Sequence, residues 1–188
     1  MSAAVLPRCP DVVRNWGSTP AERAEGFPCD RLLEEAPMRL YRAVDVAAPA
    51  ALVFRWLCQL RAAPYSYDVI DNRARRSPQA LIPGLERLAP GQRFMRIFRL
   101  QEFEPGRSLT VRSRGTVFGD VVVTYRVSEA GAGRSRLVAK LLVAPGGGPF
   151  GSAPARALLA AGDLVMMRRQ LLNIARLAER EAPQRGAG

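Results

Sequence analysis

Between residues 154 and 182 apolar side chains return at alternating intervals of three and four: Ala157, Ala160, Leu164, Met167, Leu171, Ile174 and Ala178. An α-helix turns once in about 3.6 residues, so this spacing draws one unbroken stripe along a single helix face. Arg169, Gln170, Asn173, Arg176 and Arg180 fall away from the stripe. A stripe of that length is unstable in water and must lie on a large apolar surface. The rest of the chain has to supply that surface.

Residues 92 to 144 are the source. "QRFMRIFRLQEF", "SLTVRSR", "VFGDVVVTYRVSE" and "SRLVAKLLVA" read as four strands, separated by the turn-like breaks "EPGR", "GT" and "AGAGR". In the third, Val117, Val121, Val123, Tyr125 and Val127 share one face, and Asp120, Thr124 and Arg126 share the other. The pattern predicts an antiparallel meander. Upstream, "MRLYRAVDVAAP" puts Leu40, Val44 and Val46 on one face and Tyr41 and Asp45 on the other, which predicts a further strand. "APAALVFRWLCQL" follows, with Val53, Trp56, Leu57 and Leu60 at helical spacing. That helix should end near Ala62, because Pro64 disfavours helical geometry at Ala63.

The order is strand, short helix, loop-rich region, meander, long helix. It predicts an α+β fold of the helix-grip type, a curved antiparallel sheet gripping a long C-terminal helix, with a cavity between them. The 188 residues suit one domain. We place it at 38–182. The preceding 1–37 form an arm rich in proline, with one short helix at "TPAERAE", where Thr19 caps and Glu22 closes a capping box. Trp16 and Phe27 are too apolar to leave in water, so the arm is expected to lie on the domain. Residues 145–154, "PGGGPFGSAP", form a flexible break, and 183–188 a flexible tail.

Composition removes several classes of function. Histidine is absent, which excludes any His base, His ligand or His-containing triad. Cys9, Cys29 and Cys58 show no metal spacing, so no metal and no cofactor are expected. A Cys9–Cys29 disulfide is disfavoured in a reducing compartment, and Cys58 reads as a buried thiol. No apolar run is long enough for a membrane span, and the N-terminus does not read as a signal peptide, so a cytoplasmic location is expected. The net charge of +11 invites a nucleic-acid reading. The arginines are scattered, however, and aromatics are not interleaved among them as stacking surfaces require, so nucleic acid is unlikely as a partner.

The stretches "RAVDVAAPAALVFRWLCQL", "WGSTPAERAEGFPCD" and "APYSYDVIDN" resemble the START-like (SRPBCC, polyketide cyclase/dehydrase-like) superfamily, over about 38 to 182. The last two are similar to a bacterial subgroup carrying "WGAT..E...P.P.D" and "YSYD.LDN". The resemblance implies a helix-grip fold. It also implies a role drawn from ligand carriers, hormone receptors and aromatase/cyclases.

"YSYDVIDN" holds the densest chemistry. Tyr65 and Tyr67 offer amphipathic rings to a ligand at the cavity mouth. Asp68 offers a carboxylate, while Asp71 and Asn72 suit turn capping. Asp68 and Asp71 could equally pair with Arg73, Arg75 or Arg76. Arg99 on the first meander strand could hold a ligand carboxylate or enolate, or stand at the surface; Arg112 is a weaker candidate. Tyr125 shares a face with valines and faces core or cavity. Lys140, the single lysine, is expected to be exposed.

The ligand-site candidates are therefore Tyr65, Tyr67, Asp68, Arg99 and Tyr125. Three functions stay open. The first is binding of a hydrophobic or aromatic small molecule. The second is a cyclase/dehydratase using Asp or Tyr as acid–base and Arg on the enolate. The third is a basic accessory protein binding RNA or an acidic partner. Several of the candidates pointing inward would favour the enzyme; an apolar cavity would favour the binder.

Overall fold

The computed structural model describes residues 10–67, 76–116, 119–144 and 152–182. Cys9, Asp68, Asp71, Asn72, Val117, most of the 145–154 break and the 183–188 tail lie outside the described residues. The chain forms six strands: β1 (Met38–Val46), β2 (Arg93–Phe94), β3 (Phe98–Glu104), β4 (Ser108–Thr116), β5 (Gly119–Glu129) and β6 (Ser135–Val143). They make one antiparallel sheet in the order β1-β6-β5-β4-β3-β2. Three single-turn helices precede it: α1 (Asp11–Asn15), α2 (Pro20–Ala24) and α3 (Pro28–Leu32). Helix α4 (Ala50–Cys58) follows β1 and closes in a 3-10 turn at Gln59–Arg61, as Pro64 requires. The long helix α5 (Ala153–Glu181) ends the fold.

The strand alternation sorts side chains as the sequence suggests. Leu40, Val44, Val123, Tyr125, Val127, Leu137 and Leu141 join one core cluster with Leu171, Ile174 and Ala178 of α5 and Val53, Trp56 and Leu57 of α4. Ser152 caps α5, accepting from the Ala155 N–H. Ala160, Met167, Leu171, Ile174 and Ala178 of the stripe are buried, whereas Ala157 is exposed and Leu164 half-buried. Gln170, which the spacing places away from the stripe, is buried. It lies where the helix meets the loop at Pro64, and its amide donates to the Pro64 carbonyl at 2.6 Å.

The sequence predicts one strand over 92–103; the structure has two. Met95 (φ 42°) and Arg96 (φ 69°) take left-handed backbone and turn the chain back on itself. The Met95 N–H is held by the Leu60 carbonyl at 2.8 Å, so the turn is tied to the end of α4.

Helix α1 and Trp16 run along the free edge of β1, with Val13 and Trp16 packed on the inner core, and the arm then crosses to the sheet's other face. Phe27 and Cys29 are buried there against Tyr41, Ala43, Val122, Val138 and Leu142. Thr19 and Glu22 form the expected capping box. The Cys29 N–H donates to Thr124 Oγ1 at 3.0 Å. Lys140 corrects the expectation of exposure: it is 3% exposed, 2.6 Å from Asp30, with the Phe27 and Tyr41 rings 5.3 and 5.2 Å away. The alternation correctly puts it on the face opposite Leu141, but that face is covered by α3. Arg126 and Arg136 bind the same arm through Glu25 and Glu22. Asn15 and Trp16 form isolated bridges with Tyr41 and Arg42, along the free edge of β1. Gly17 makes this approach possible: at φ 74°, a Cβ there would stand 2.1 Å from the Ala43 carbonyl oxygen. Among the described residues, no helix is long and apolar enough to cross a membrane.

Docking of α5 on the sheet has a direct test. Leu171 is fully buried at its centre. Leu171→Asp removes that packing and buries an unpaired carboxylate, so urea titration should show a loss of at least ~4 kcal/mol. A variant with the wild-type midpoint would mean that the helix is not docked.

Candidate functional site

A cavity of about 380 Å³ opens between α5 and the core face of the sheet, bordered by the loop after α4 and the β2–β3 turn. Met95, Phe98, Val123, Leu141, Met166 and Met167 make its apolar wall. Arg96 and Ile97 line it from the turn; Ile97 is 62% exposed. Methionine is unbranched and polarisable, so such a wall adapts to irregular apolar shapes. Tyr65, Met95 and Arg96 are the non-glycine residues with positive φ among the described residues, and all three belong to the segments that border this cavity. Held left-handed conformations of that kind collect where a site dictates the backbone.

The polar groups in the wall are few, and Tyr125, Gln170 and Asp163 are each engaged by a partner within the protein. Tyr125 and Gln170 meet across the cavity floor, the phenol donating to Gln170 Oε1 at 2.7 Å. Burial pushes the Tyr125 pKa far up, with the Asp163 charge adding to it, so the phenol stays a donor. Gln170 Nε2 is held by the Pro64 carbonyl and also approaches Met95 Sδ at 3.2 Å. One turn on, Asn173 donates to the Tyr65 carbonyl at 2.8 Å. Helix α5 thereby grips the loop that closes the cavity.

The second polar pair was not anticipated. Asp163 on α5 meets Arg42 on the core face of β1 at 2.8 Å, and the Arg42 side chain is fully buried. Arg42 also donates to the carbonyls of Tyr41, Arg14 and Ala160. In the sheet register Arg42 faces Ala139, which faces Tyr125. The small Ala139 therefore separates the two polar side chains that α5 reaches down to meet. Burial pushes the Asp163 pKa up to about 6, outweighing the Arg42 charge that pulls it down.

The candidates read from the sequence separate. Tyr125 lies in the cavity wall. Tyr65 is buried in the core, its ring edge-on to Trp56 at 6.0 Å, and Trp56 Nε1 donates to Glu181. Tyr65 and Tyr67 both border a second, smaller pocket on the far side of Ser66. Arg99 lies outside the cavity: it is exposed, alternates with buried Leu100, and donates to the Gly91 carbonyl. Arg112 is on the arm's face and pairs with Asp120 at 2.6 Å. Asp68 lies outside the described residues. Cys58 is buried, which pushes its pKa up to about 12, and Cys29 is a buried free thiol whose pKa burial also raises. Among the described residues no group of acids and cysteines could hold a metal ion.

No family model matches the chain, and no curated protein matches it. Its fold recurs in solved structures. A protein from Thermobifida fusca solved by solution NMR superposes with a TM-score of 0.53 at 19% identity, covering 77% of this chain and 95% of its own. The Zhui aromatase/cyclase from Streptomyces sp. R1128 gives 0.50 at 21% identity, covering 79% and 97%. The di-domain aromatase/cyclase BexL of the BE-7585A biosynthetic pathway gives 0.51 at 13% identity, covering 75% of this chain and 46% of its own. The fold is thus a helix-grip fold that these two aromatase/cyclases also adopt. At these identities the likeness concerns the fold alone.

The Asp163 titration carries a sign that can be measured. The folded-state pKa of about 6 lies above the ordinary value of 3.8. Between those two values the native state holds a proton that the unfolded chain has released, so stability falls as pH rises through this window. The stability of wild type relative to Asp163→Asn should therefore decline by roughly 1 kcal/mol per pH unit from pH 4 to 6 and then level off. Parallel curves in urea titrations across that range would place the Asp163 pKa at its ordinary value.

Proposed function

We propose that this protein binds a hydrophobic or aromatic small molecule in the helix-grip cavity. One observation carries the reading. The phenol, amide and carboxylate in the wall are already paired within the protein, as Tyr125–Gln170 and Asp163–Arg42, so that, apart from Ser66 at the boundary and the exposed Arg96 on the turn, the surface left to meet a ligand is methionine, isoleucine, valine, leucine and phenylalanine. A concave apolar site with a few convergent polar groups is the usual form of a small-molecule site. The Tyr125 phenol and the Gln170 amide fix one wall and give an aromatic ligand an orientation. Two solved proteins of this fold are aromatase/cyclases, which supports a ligand of polyketide-like size and shape.

A second reading, a cyclase/dehydratase, draws on Asp163. A carboxyl held near pKa 6 at a cavity wall has the strength of a general acid–base at neutral pH, and Arg42 beside it would steady developing negative charge. Of the residues that the sequence suggested for such chemistry, Tyr125 alone lines the cavity among the described residues. The binder therefore stands first. If the enzyme reading holds, Asp163→Asn abolishes cyclisation of a poly-β-carbonyl substrate while the variant still binds it.

The binding itself is tested with an uncharged fluorescent probe, N-phenylnaphthylamine, titrated against the folded protein. Wild type should bind it. Met166→Trp, which fills the cavity from its half-buried wall without touching the core, should weaken it by about tenfold or more, the equivalent of about 1.4 kcal/mol. A wild-type protein that leaves the probe in water has no usable cavity, and the reading fails.

A further inference from the structure

On the far side of Ser66 from the apolar cavity lies a second pocket of about 260 Å³. Ser66 lines both. Across it the lining changes from mainly apolar to mainly polar. The smaller pocket is walled by Tyr65, Tyr67, Ser77, Gln79 and Asn173, with Arg169 and Arg176 of α5 bringing two guanidinium groups to it. The Arg169 guanidinium lies 5.8 Å from the centre of the Tyr67 ring, and Arg176 donates to Gln79 Oε1 at 3.3 Å. Neither arginine has a carboxylate within ion-pair distance among the described residues, although nine other contacts between basic and acidic side chains are formed elsewhere. Arg180, one turn beyond Arg176, is occupied with the Gln79 carbonyl.

The two arginines are seven residues apart, two helical turns, and so stand on one side of α5. Each presents a planar fork of donors matched to a carboxylate, sulfonate or phosphate. The loop between the compartments is fixed at two points, Pro64 by Gln170 and Tyr65 by Asn173. These bonds hold Ser66 at the boundary and set the apolar and basic compartments at a constant separation.

We infer that the ligand of this protein is amphiphilic and anionic: its apolar body fills the methionine-walled cavity, and its carboxylate, sulfonate or phosphate group passes Ser66 to lie between Arg169 and Arg176. The inference rests on the cavity reading above and adds the ligand's charge and polarity.

The test compares two probes with nearly the same aromatic skeleton, anilinonaphthalene sulfonate and uncharged N-phenylnaphthylamine. The Arg169→Gln/Arg176→Gln variant should lose about tenfold or more in affinity for the sulfonate, the loss of a charge-assisted pair, and keep its affinity for the uncharged probe. Arg134→Gln, on the distant β5–β6 turn, should leave both affinities unchanged; this controls for the general attraction of a basic protein. Equal sulfonate affinity in wild type and the double variant overturns the inference. So does a loss that Arg134→Gln reproduces, or one that the uncharged probe shares. Failure of the uncharged probe to bind wild type is a different outcome: it removes the cavity reading and with it any two-part ligand.

Discussion

A permanent positive charge sits on the core face of β1, and the rest of the structure is arranged around it. Arg42 cannot give up its proton, and a buried unpaired guanidinium costs several kcal/mol. It is satisfied from three directions: by its own strand through Tyr41, by the arm through Arg14, and by α5 through Ala160 and Asp163. Those contacts fix the position of the long helix over the sheet at its N-terminal half, where the apolar stripe is least buried. The Tyr125–Gln170 bond does the same seven residues further on. The cavity lies between these two polar pins. Its volume follows from how far they hold the helix off the sheet.

The two faces of the sheet solve different problems with the same alternation. The inner face meets α4 and α5 and is largely apolar, with Arg42, the Tyr125 hydroxyl and the small hydroxyls of Ser113 and Ser135 as its buried polar groups. The outer face carries Thr110, Thr124 and Lys140, polar groups that would suit solvent. The arm covers them, and it can do so because it brings partners: the Cys29 N–H for Thr124, the Asp30 carboxylate for Lys140, and the Phe27 ring for Arg126 and Lys140. Thr110 and Thr124 then bond each other at 2.8 Å. Many of the scattered arginines are spent in this way, as local ties between arm, sheet and loops, and not as a continuous basic surface.

Where one periodicity controls a segment, the sequence is easily read. The stripe of α5, the β5 alternation and the Thr19–Glu22 box all appear in the structure because local geometry decides them. Features that depend on a distant partner are harder. Lys140 looks exposed until something is known to cover its face. Asp163 resembles a solvated acid beside Gly162, yet it falls on the arc between Ala160 and Met167. Arg42 interrupts the series Leu40, Val44, Val46. Each break is visible alone; what makes them a site is that the two opposite charges meet, and that requires the register of β1 under α5. The turn at Met95 and Arg96 left no signal of its own, since neither residue favours left-handed backbone. It is imposed by the bond from Met95 to Leu60.

The burial of Lys140 has a consequence for the chain's surface chemistry. A domain with 27 arginines presents no lysine amine to its surroundings, because its one lysine lies under the arm against Asp30. Conjugation or acylation chemistry directed at lysine therefore finds no target on the intact fold. The amine becomes reactive only in molecules whose arm has lifted from the sheet, so its rate of modification counts those molecules directly.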